Sequence, residues 1–208
     1  MRMHSLILTT AILIAAGAAR ADRGATSVEA EAGLSIESVR LPSSLGSAAQ
    51  VGTTASINLA GWYAVSDGLE LGLRAFWEPS SNWAHEGAAS GQFTGTLTST
   101  STRFGALAGA RLVHGLVWQF TAGISAGFSQ RLFTNLNLYD VSRASPRSFG
   151  LQLSDFSTTS LAIAPSVGLR WTGDHVSIGV EPRFELLVGP GVGWAVTIPV
   201  CLSWSSYL

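Results

Sequence analysis

The sequence contains no lysine, and all 12 of its basic residues are arginine. Charged residues make up only 12% of the 208 residues, and the mean hydropathy is +0.32. A soluble β-rich protein normally protects its wet surface with lysine and glutamate, so this composition indicates a chain with little wet surface to cover. The net charge of −1 and the lack of a basic cluster argue against nucleic acid as a partner.

Cysteine and long apolar runs are also scarce. Cys201 is the only cysteine, so no internal disulfide can form. Residues 186–208 carry no charge and are long enough for a C-terminal membrane helix. Their apolar residues, however, recur at every second position, and glycine and proline interrupt the stretch. We therefore interpret this segment as a strand and keep the membrane tail as the less favoured alternative.

The N-terminus has the pattern of a secretory signal peptide. The apolar segment at 6–16 is shorter than the ~20 residues of a spanning helix. It follows a basic residue and precedes a small-residue cleavage site at Ala19, Ala21 and Asp22. We predict a signal peptide over residues 1–21 and one domain over residues 22–208.

Alternation of apolar and polar residues predicts strands through the rest of the chain. It is clearest at 160–187, where two alternating segments flank a turn at Thr172–His175 and form a hairpin. Alternation recurs in eight segments, at 26–39, 55–66, 69–78, 102–113, 116–131, 160–171, 176–187 and 193–204. An even number of strands is what a closed antiparallel bacterial barrel requires.

The connections between these segments alternate in length. Short turns lie at Asp67-Gly68, at His114-Gly115 and at Thr172–His175. The polar stretches at 40–54, 79–101 and 132–157 are predicted to be long loops. Outer-membrane barrels have short turns on the periplasmic rim and long loops outside the cell, so we expect the short turns and both termini on the periplasmic side.

The two faces of the strands differ in a way that favours lipid outside and a polar lumen inside. An eight-stranded barrel is only just wide enough inside for side chains, so glutamates and arginines on the inward face should pair into a plug. The predicted lumen charge network consists of Glu29, Glu31, Glu37, Glu70, Arg74, Glu78, Arg103, Arg111, Arg131, Arg170, Glu181, Arg183 and Glu185.

Aromatic residues gather near both ends of the outward face, as in the interfacial girdles of membrane proteins. The predicted girdles comprise Tyr63, Trp77, Phe104, Trp118, Phe128, Trp171, Phe184, Trp194 and Trp204. Trp62 is an exception, because its position points it inward. Pro165, Pro182 and Pro199 lie inside predicted strands, where we expect bulges or bends because each proline removes a ladder hydrogen bond.

The signal peptide, the alternating strands, the Asp67-Gly68 turn and the final aromatic strand make the chain resemble the small outer-membrane barrels of the OmpA/OmpX type. The resemblance covers nearly all of residues 22–208 and rests on pattern. It implies an all-β fold, an eight-stranded antiparallel up-and-down transmembrane β-barrel in the outer membrane of a Gram-negative cell. Its expected partners are membrane lipid and the outer-membrane assembly machinery.

We expect a structural or surface-interaction role, with the long loops contacting an extracellular ligand. One alternative is a narrow channel for ions or small solutes, in which Arg74→Ala should raise conductance. The other is a secreted soluble barrel with its apolar face inside, binding an apolar ligand.

No catalytic, cofactor or metal site is predicted. None of the histidines outside the signal peptide lies in mid-strand beside a serine and an acid, as nucleophilic hydrolysis would want. His85 and Glu86 are adjacent in a predicted loop, which is weak evidence for a metal. The paired carboxylates of the lumen are interpreted as structural, because no cleft would admit a substrate.

Overall fold

The computed structural model describes residues 23–41, 45, 49–90, 93–140, 150–189 and 193–207. The predicted signal peptide and its cleavage residues Ala19, Ala21 and Asp22 lie outside this part of the chain. The strands are β1 (Ala25–Arg40), β2 (Ala49–Ser66), β3 (Leu69–Ser90), β4 (Phe93–His114), β5 (Trp118–Asp140), β6 (Gly150–Gln152), β7 (Phe156–Thr172), β8 (Val176–Val180), β9 (Arg183–Val188) and β10 (Gly193–Tyr207). Within the described residues, no helix is long and apolar enough to cross a membrane.

The strands form a closed antiparallel barrel. From β1 to β5 each strand pairs with the next, β5 pairs with β7 as well as with β6, and β1 closes the ring by pairing with β10 from Ala25–Tyr207 to Ser38–Trp194. β8 and β9 together make the seventh barrel strand, since both pair with β7 and with β10. β6 is a short addition to the outer part of β5. The predicted eight-stranded up-and-down barrel is confirmed.

The register shows no bulge at Pro165, Pro182 or Pro199, where the sequence predicts bulges or bends. Pro165 pairs with Ile124 and Pro199 with Gly33, and the register is the same on both sides of each pair. At Pro182 the ladder is interrupted between β8 and β9, but their register against β10 is again unchanged. Each proline removes one donor, while the neighbouring pairs hold the register, so the chain loses hydrogen bonds without slipping.

Among the described residues, one register shift lies beside the Asp67-Gly68 turn, between Ala64 and Ser66, and the others lie in the outer parts of the barrel. The three outer shifts fall between Glu78 and Ser81, between His85 and Ala88, and between Thr98 and Thr100. Pro79 lies within the first of them, and it is the one strand proline of the described chain that sits at a shift. β-Bulges of this kind bend a strand and increase its twist.

Two of the three predicted long loops are mostly strand. β3 and β4 continue through 79–90 and 93–101 as paired strands, and β5 runs on to Asp140. The signal was present, since threonine occupies every second position from Thr94 to Thr102 and β-branched residues favour strands. Their polarity concealed these strands, because a strand outside the membrane needs no apolar outward face.

β2 does not accompany this extension. Its ladder with β3 ends at the pair Ile57–Trp77. Farther out, the two strands meet through side chains: the Thr54 hydroxyl donates to the Pro79 carbonyl at 3.4 Å, and the Ala84 N–H donates to Gln50 Oε1 at 2.9 Å. The barrel wall therefore parts at this place on its outer rim.

The surface is apolar and the interior charged. Leu73 is 68% exposed and Val167 is 62% exposed, whereas Glu29 is 0% and Arg103 is 1% exposed. Burial of so many charges requires partners, and exposure of so many aliphatic side chains requires an apolar surrounding. The alternative of a soluble barrel with its apolar face inside is therefore wrong.

Candidate functional site: the filled lumen and the extracellular sheet

The charged residues of the lumen divide into two groups. Twelve of the thirteen predicted members are buried, and the side chain of Glu70 is 13% exposed. The periplasmic group consists of Glu29, Glu31, Glu70, Glu181, Arg74, Arg111, Arg170 and Arg183. The outer group consists of Glu37, Glu78, Glu185, Arg103 and Arg131. No ion pair between described residues joins one group to the other.

Glu181 is the most connected carboxylate of the periplasmic group. It accepts hydrogen bonds from Arg170 Nη2 at 2.5 Å and from Arg74 Nη2 at 3.0 Å, and Arg111 Nη1 lies 3.6 Å away. The strands that provide these side chains lie around the whole ring, so the pairs tie opposite walls of the barrel together. Charges of equal number and opposite sign make this group neutral as a whole.

Two inward aromatic rings pack against the arginines. The Arg111 guanidinium lies 4.0 Å from the centroid of Trp62, and Arg74 lies 5.4 Å from the same ring. Arg103 lies 4.8 Å from the ring of Phe76. Cation–π contacts of this kind are strongest where water is excluded, which explains why Trp62 points inward against the general pattern.

An apolar cap closes the lumen above the outer group. The sequence gave no indication of it, because its members lie mostly in the stretches predicted to be loops. Phe133 stacks on Phe156 with the ring centroids 4.7 Å apart. The buried members of the outer cap are Val39, Leu41, Trp83, Ala88, Leu97, Phe133, Leu136 and Leu138.

His85 is buried beside the outer cap. Burial, reinforced by the positive charge of Arg131, lowers the pKa of His85 to about 4, so the imidazole is neutral at neutral pH. Its ring stacks on Trp83 with the centroids 6.1 Å apart. His85 points inward while Glu86 is exposed, so these adjacent residues do not face a common metal.

The periplasmic end of the lumen is open. A cavity of about 370 Å³ is lined by Arg111 and Arg170 and by the side chains of Ser27, Thr172 and Ser177. Ser27 Oγ, Thr172 Oγ1 and Arg170 Nε are buried there without a hydrogen-bond partner among the described residues. Groups of this kind are usually hydrated, so the cavity is a polar vestibule that ends at the ion pairs.

One cluster in the lumen has the ligand types of a metal site. Carboxylate oxygens of Glu29 and Glu31 and the thiol of Cys201 lie within 4.8 Å of one another. Both carboxylates already contact guanidinium groups, Glu29 at 2.8 Å from Arg170 and Glu31 at 2.8 Å from Arg74. A cation would have to displace these arginines, so the cluster is better suited to ion pairing.

The nine predicted girdle residues all lie on the outer surface. Trp118 and Trp204 are each 59% exposed near the short turns, while Trp77 at 48% and Phe128 at 50% lie toward the other rim. Beyond Trp77 the outward residues of β3 change character, to Ser80, Asn82 and Glu86. The apolar belt therefore ends there, and the outer parts of β3, β4 and β5 form an extracellular sheet.

No protein-family model matches the chain, and no curated protein sequence matches it. Solved structures share its fold. Ail, the attachment invasion locus protein of Yersinia pestis, is 14% identical with a TM-score of 0.53, and the match covers 88% of this chain and 99% of Ail. Neisserial surface protein A is 11% identical with a TM-score of 0.56, covering 88% and 99%. The outer membrane protein OprG from Pseudomonas aeruginosa is 13% identical with a TM-score of 0.50, covering 89% and 97%.

The chain thus has the fold of the small eight-stranded outer-membrane β-barrels, the class that the sequence pattern predicted. Its apolar belt is the surface that such a barrel turns to lipid. This fold and its apolar belt fit the outer membrane; by the rule for such barrels, we expect the short turns on the periplasmic side and the extracellular sheet outside.

Proposed function

We propose that this protein acts at the cell surface through its extracellular sheet and does not conduct solutes. The observation that carries the proposal is the contrast between a filled lumen and an extended outer sheet. Both charge groups and the outer cap occupy the interior, whereas β3, β4 and β5 continue well past the apolar belt. Ail, named for attachment and invasion, has the same fold, which supports a surface role.

The lumen network has a structural role in this proposal. Its pairs cross the barrel and hold the wall closed around a dry interior, so the outer sheet stands on a rigid base. The proposal includes no enzymatic activity. The histidines of the described chain support this, because His85 lies under the cap and His114 and His175 lie at the periplasmic turns.

The orientation is tested by inserting one short epitope at two places. In intact cells the epitope between β3 and β4, at 91–92, should bind antibody, while the same epitope at Asp67-Gly68 should bind only after permeabilisation. Both insertions should keep the heat-dependent gel shift of a folded barrel. Antibody binding to the Asp67-Gly68 insertion in intact cells would reverse the orientation and remove the basis of the surface role.

A further inference from the structure

A shallow trough crosses the extracellular sheet where β2 and β3 part. Its volume is about 350 Å³, and its lining includes Gln50, Asn82, Trp83, Thr98, Ser99 and Asn135. All of these residues lie beyond the apolar belt. The trough is therefore open to the medium outside the cell and separate from the lumen and its ion pairs.

Two local irregularities shape the trough. The register between β4 and β5 shifts between Thr98 and Thr100. On the facing strand Asn135 has a φ of 54°, and it is the one non-glycine residue of the described chain with positive φ. Asparagine tolerates this left-handed conformation better than most residues, and the combination of shift and left-handed residue recesses the sheet surface here.

The polar groups of the trough are arranged to donate hydrogen bonds. Gln50 Oε1 accepts from the Ala84 N–H at 2.9 Å, and Asn82 Oδ1 accepts from the Thr100 hydroxyl at 3.1 Å. With both amide oxygens engaged, the amide nitrogens are left to donate outward. Ser99 pairs with Trp83, and both side chains are buried on the inner side of the wall, so neither offers a polar group to a ligand in the trough.

The lining contains no charged side chain. An ionic ligand would lose hydration there without gaining a counter-charge. A polyol, in contrast, presents oxygen acceptors to the amide nitrogens and a hydroxyl donor to the Thr98 hydroxyl. From this chemistry we infer that the trough is a binding site for an uncharged saccharide.

This inference rests on the proposed surface role and deepens it by naming the ligand class. Uncharged sugars reach this position from two sources, the lipopolysaccharide of the same membrane and the glycans of another surface. Both sources present the same hydroxyl chemistry to the trough.

The test uses the folded full-length barrel in detergent on an array of neutral glucose, galactose and mannose oligosaccharides, sulfated and sialylated oligosaccharides, and lipopolysaccharide with and without its outer sugars. We expect binding to neutral members. Gln50→Ala combined with Asn82→Ala should weaken it by about tenfold or more, the equivalent of losing one or two hydrogen bonds. Thr96→Ala, on the same face of β4 but outside the trough, is the matched control and should bind as the unchanged protein does.

Each outcome either supports or overturns the proposed saccharide site. Loss of binding in the double variant, with its heat-dependent gel shift intact, supports the site, and the responding array members identify the source of the sugar. Binding only to anionic members, equal binding by the double variant, or no binding to any neutral member overturns it. The array is measured in detergent, so its result does not depend on the orientation of the barrel in the cell. A negative array result would therefore overturn the saccharide site even where the epitope experiment confirms the proposed orientation.

Discussion

At the scale of single residues, the carboxylates of the lumen differ in how many partners depend on them. Glu181 contacts three guanidinium groups and also accepts from the Thr121 hydroxyl at 3.4 Å. Glu70 contacts Arg111 alone among the described residues, at 2.5 Å, near the open vestibule. Removing the charge of Glu181 should therefore lower the free energy of unfolding more than removing the charge of Glu70, because the arginines left without a partner at Glu181 are buried.

We expect Glu181→Gln to lower the free energy of unfolding by about 3–5 kcal/mol, the usual cost of breaking a buried ion pair. Glu70→Gln should cost about 1 kcal/mol, because water from the vestibule can replace the lost contact. Urea unfolding of the refolded protein in detergent, followed by tryptophan fluorescence, measures both values. Equal losses of unfolding free energy in the two variants would contradict the prediction that Glu181 stabilises the barrel more than Glu70 does.

At the scale of the strand, three prolines on adjacent strands meet at one point in the barrel wall. Pro165 lies on β7, Pro182 in the break between β8 and β9, and Pro199 on β10. The Val167 N–H donates to the Pro182 carbonyl at 3.1 Å. The reciprocal bond of an antiparallel pair would need an N–H on Pro182, so the Val167 carbonyl lacks that donor. Missing donors weaken this seam of the barrel.

We expect Pro182→Ala to supply this donor and to slow amide hydrogen exchange around residues 180–184. One added ladder hydrogen bond corresponds to protection on the order of tenfold. Pro79→Ala is the control, since Pro79 lies at a bulge in the outer hairpin and should leave exchange at the seam unchanged. Exchange at 180–184 that is already slow in the unchanged protein would refute the weak seam.

At the scale of the whole molecule, the lumen is closed at more than one level. The periplasmic group, the outer group and the outer cap follow one another from the vestibule to the cell exterior. The channel alternative predicts that Arg74→Ala alone raises conductance. Arg74 belongs only to the periplasmic group, so the two barriers beyond it remain in that variant.

We therefore expect neither the unchanged protein nor Arg74→Ala to carry a steady current in planar bilayers. A variant that also carries Arg103→Ala, Trp83→Ala and Leu97→Ala should conduct, since it weakens the outer group and the outer cap as well. The heat-dependent gel shift identifies variants that still fold. A current through the Arg74→Ala single variant would show that one ion-pair group gates the lumen and would restore the channel alternative.

Much of this architecture could be predicted from the sequence, because a strand gives its side chains only two directions. Period-two alternation fixed the inward position of Glu29, Arg103 and the other predicted lumen charges, and the outward position of residues such as Trp118. The same logic fails outside the membrane, where the outward face of a strand is polar. The sequence consequently predicts a loop where β3 and β4 form a hairpin, and it does not predict the outer cap.

The sequence by itself determined which residues face lipid and which face the lumen, because that depends on local alternation and on the solvent. Only the tertiary structure decided which charges meet. Glu29 pairs with Arg170 and Glu37 with Arg131, contacts that depend on closing β1 against a ring of distant strands. Closure also decided that the charges form two groups, that an apolar cap covers them, and that the wall parts beside Gln50. These features depend on distances across the barrel, which alternation along a single strand does not encode.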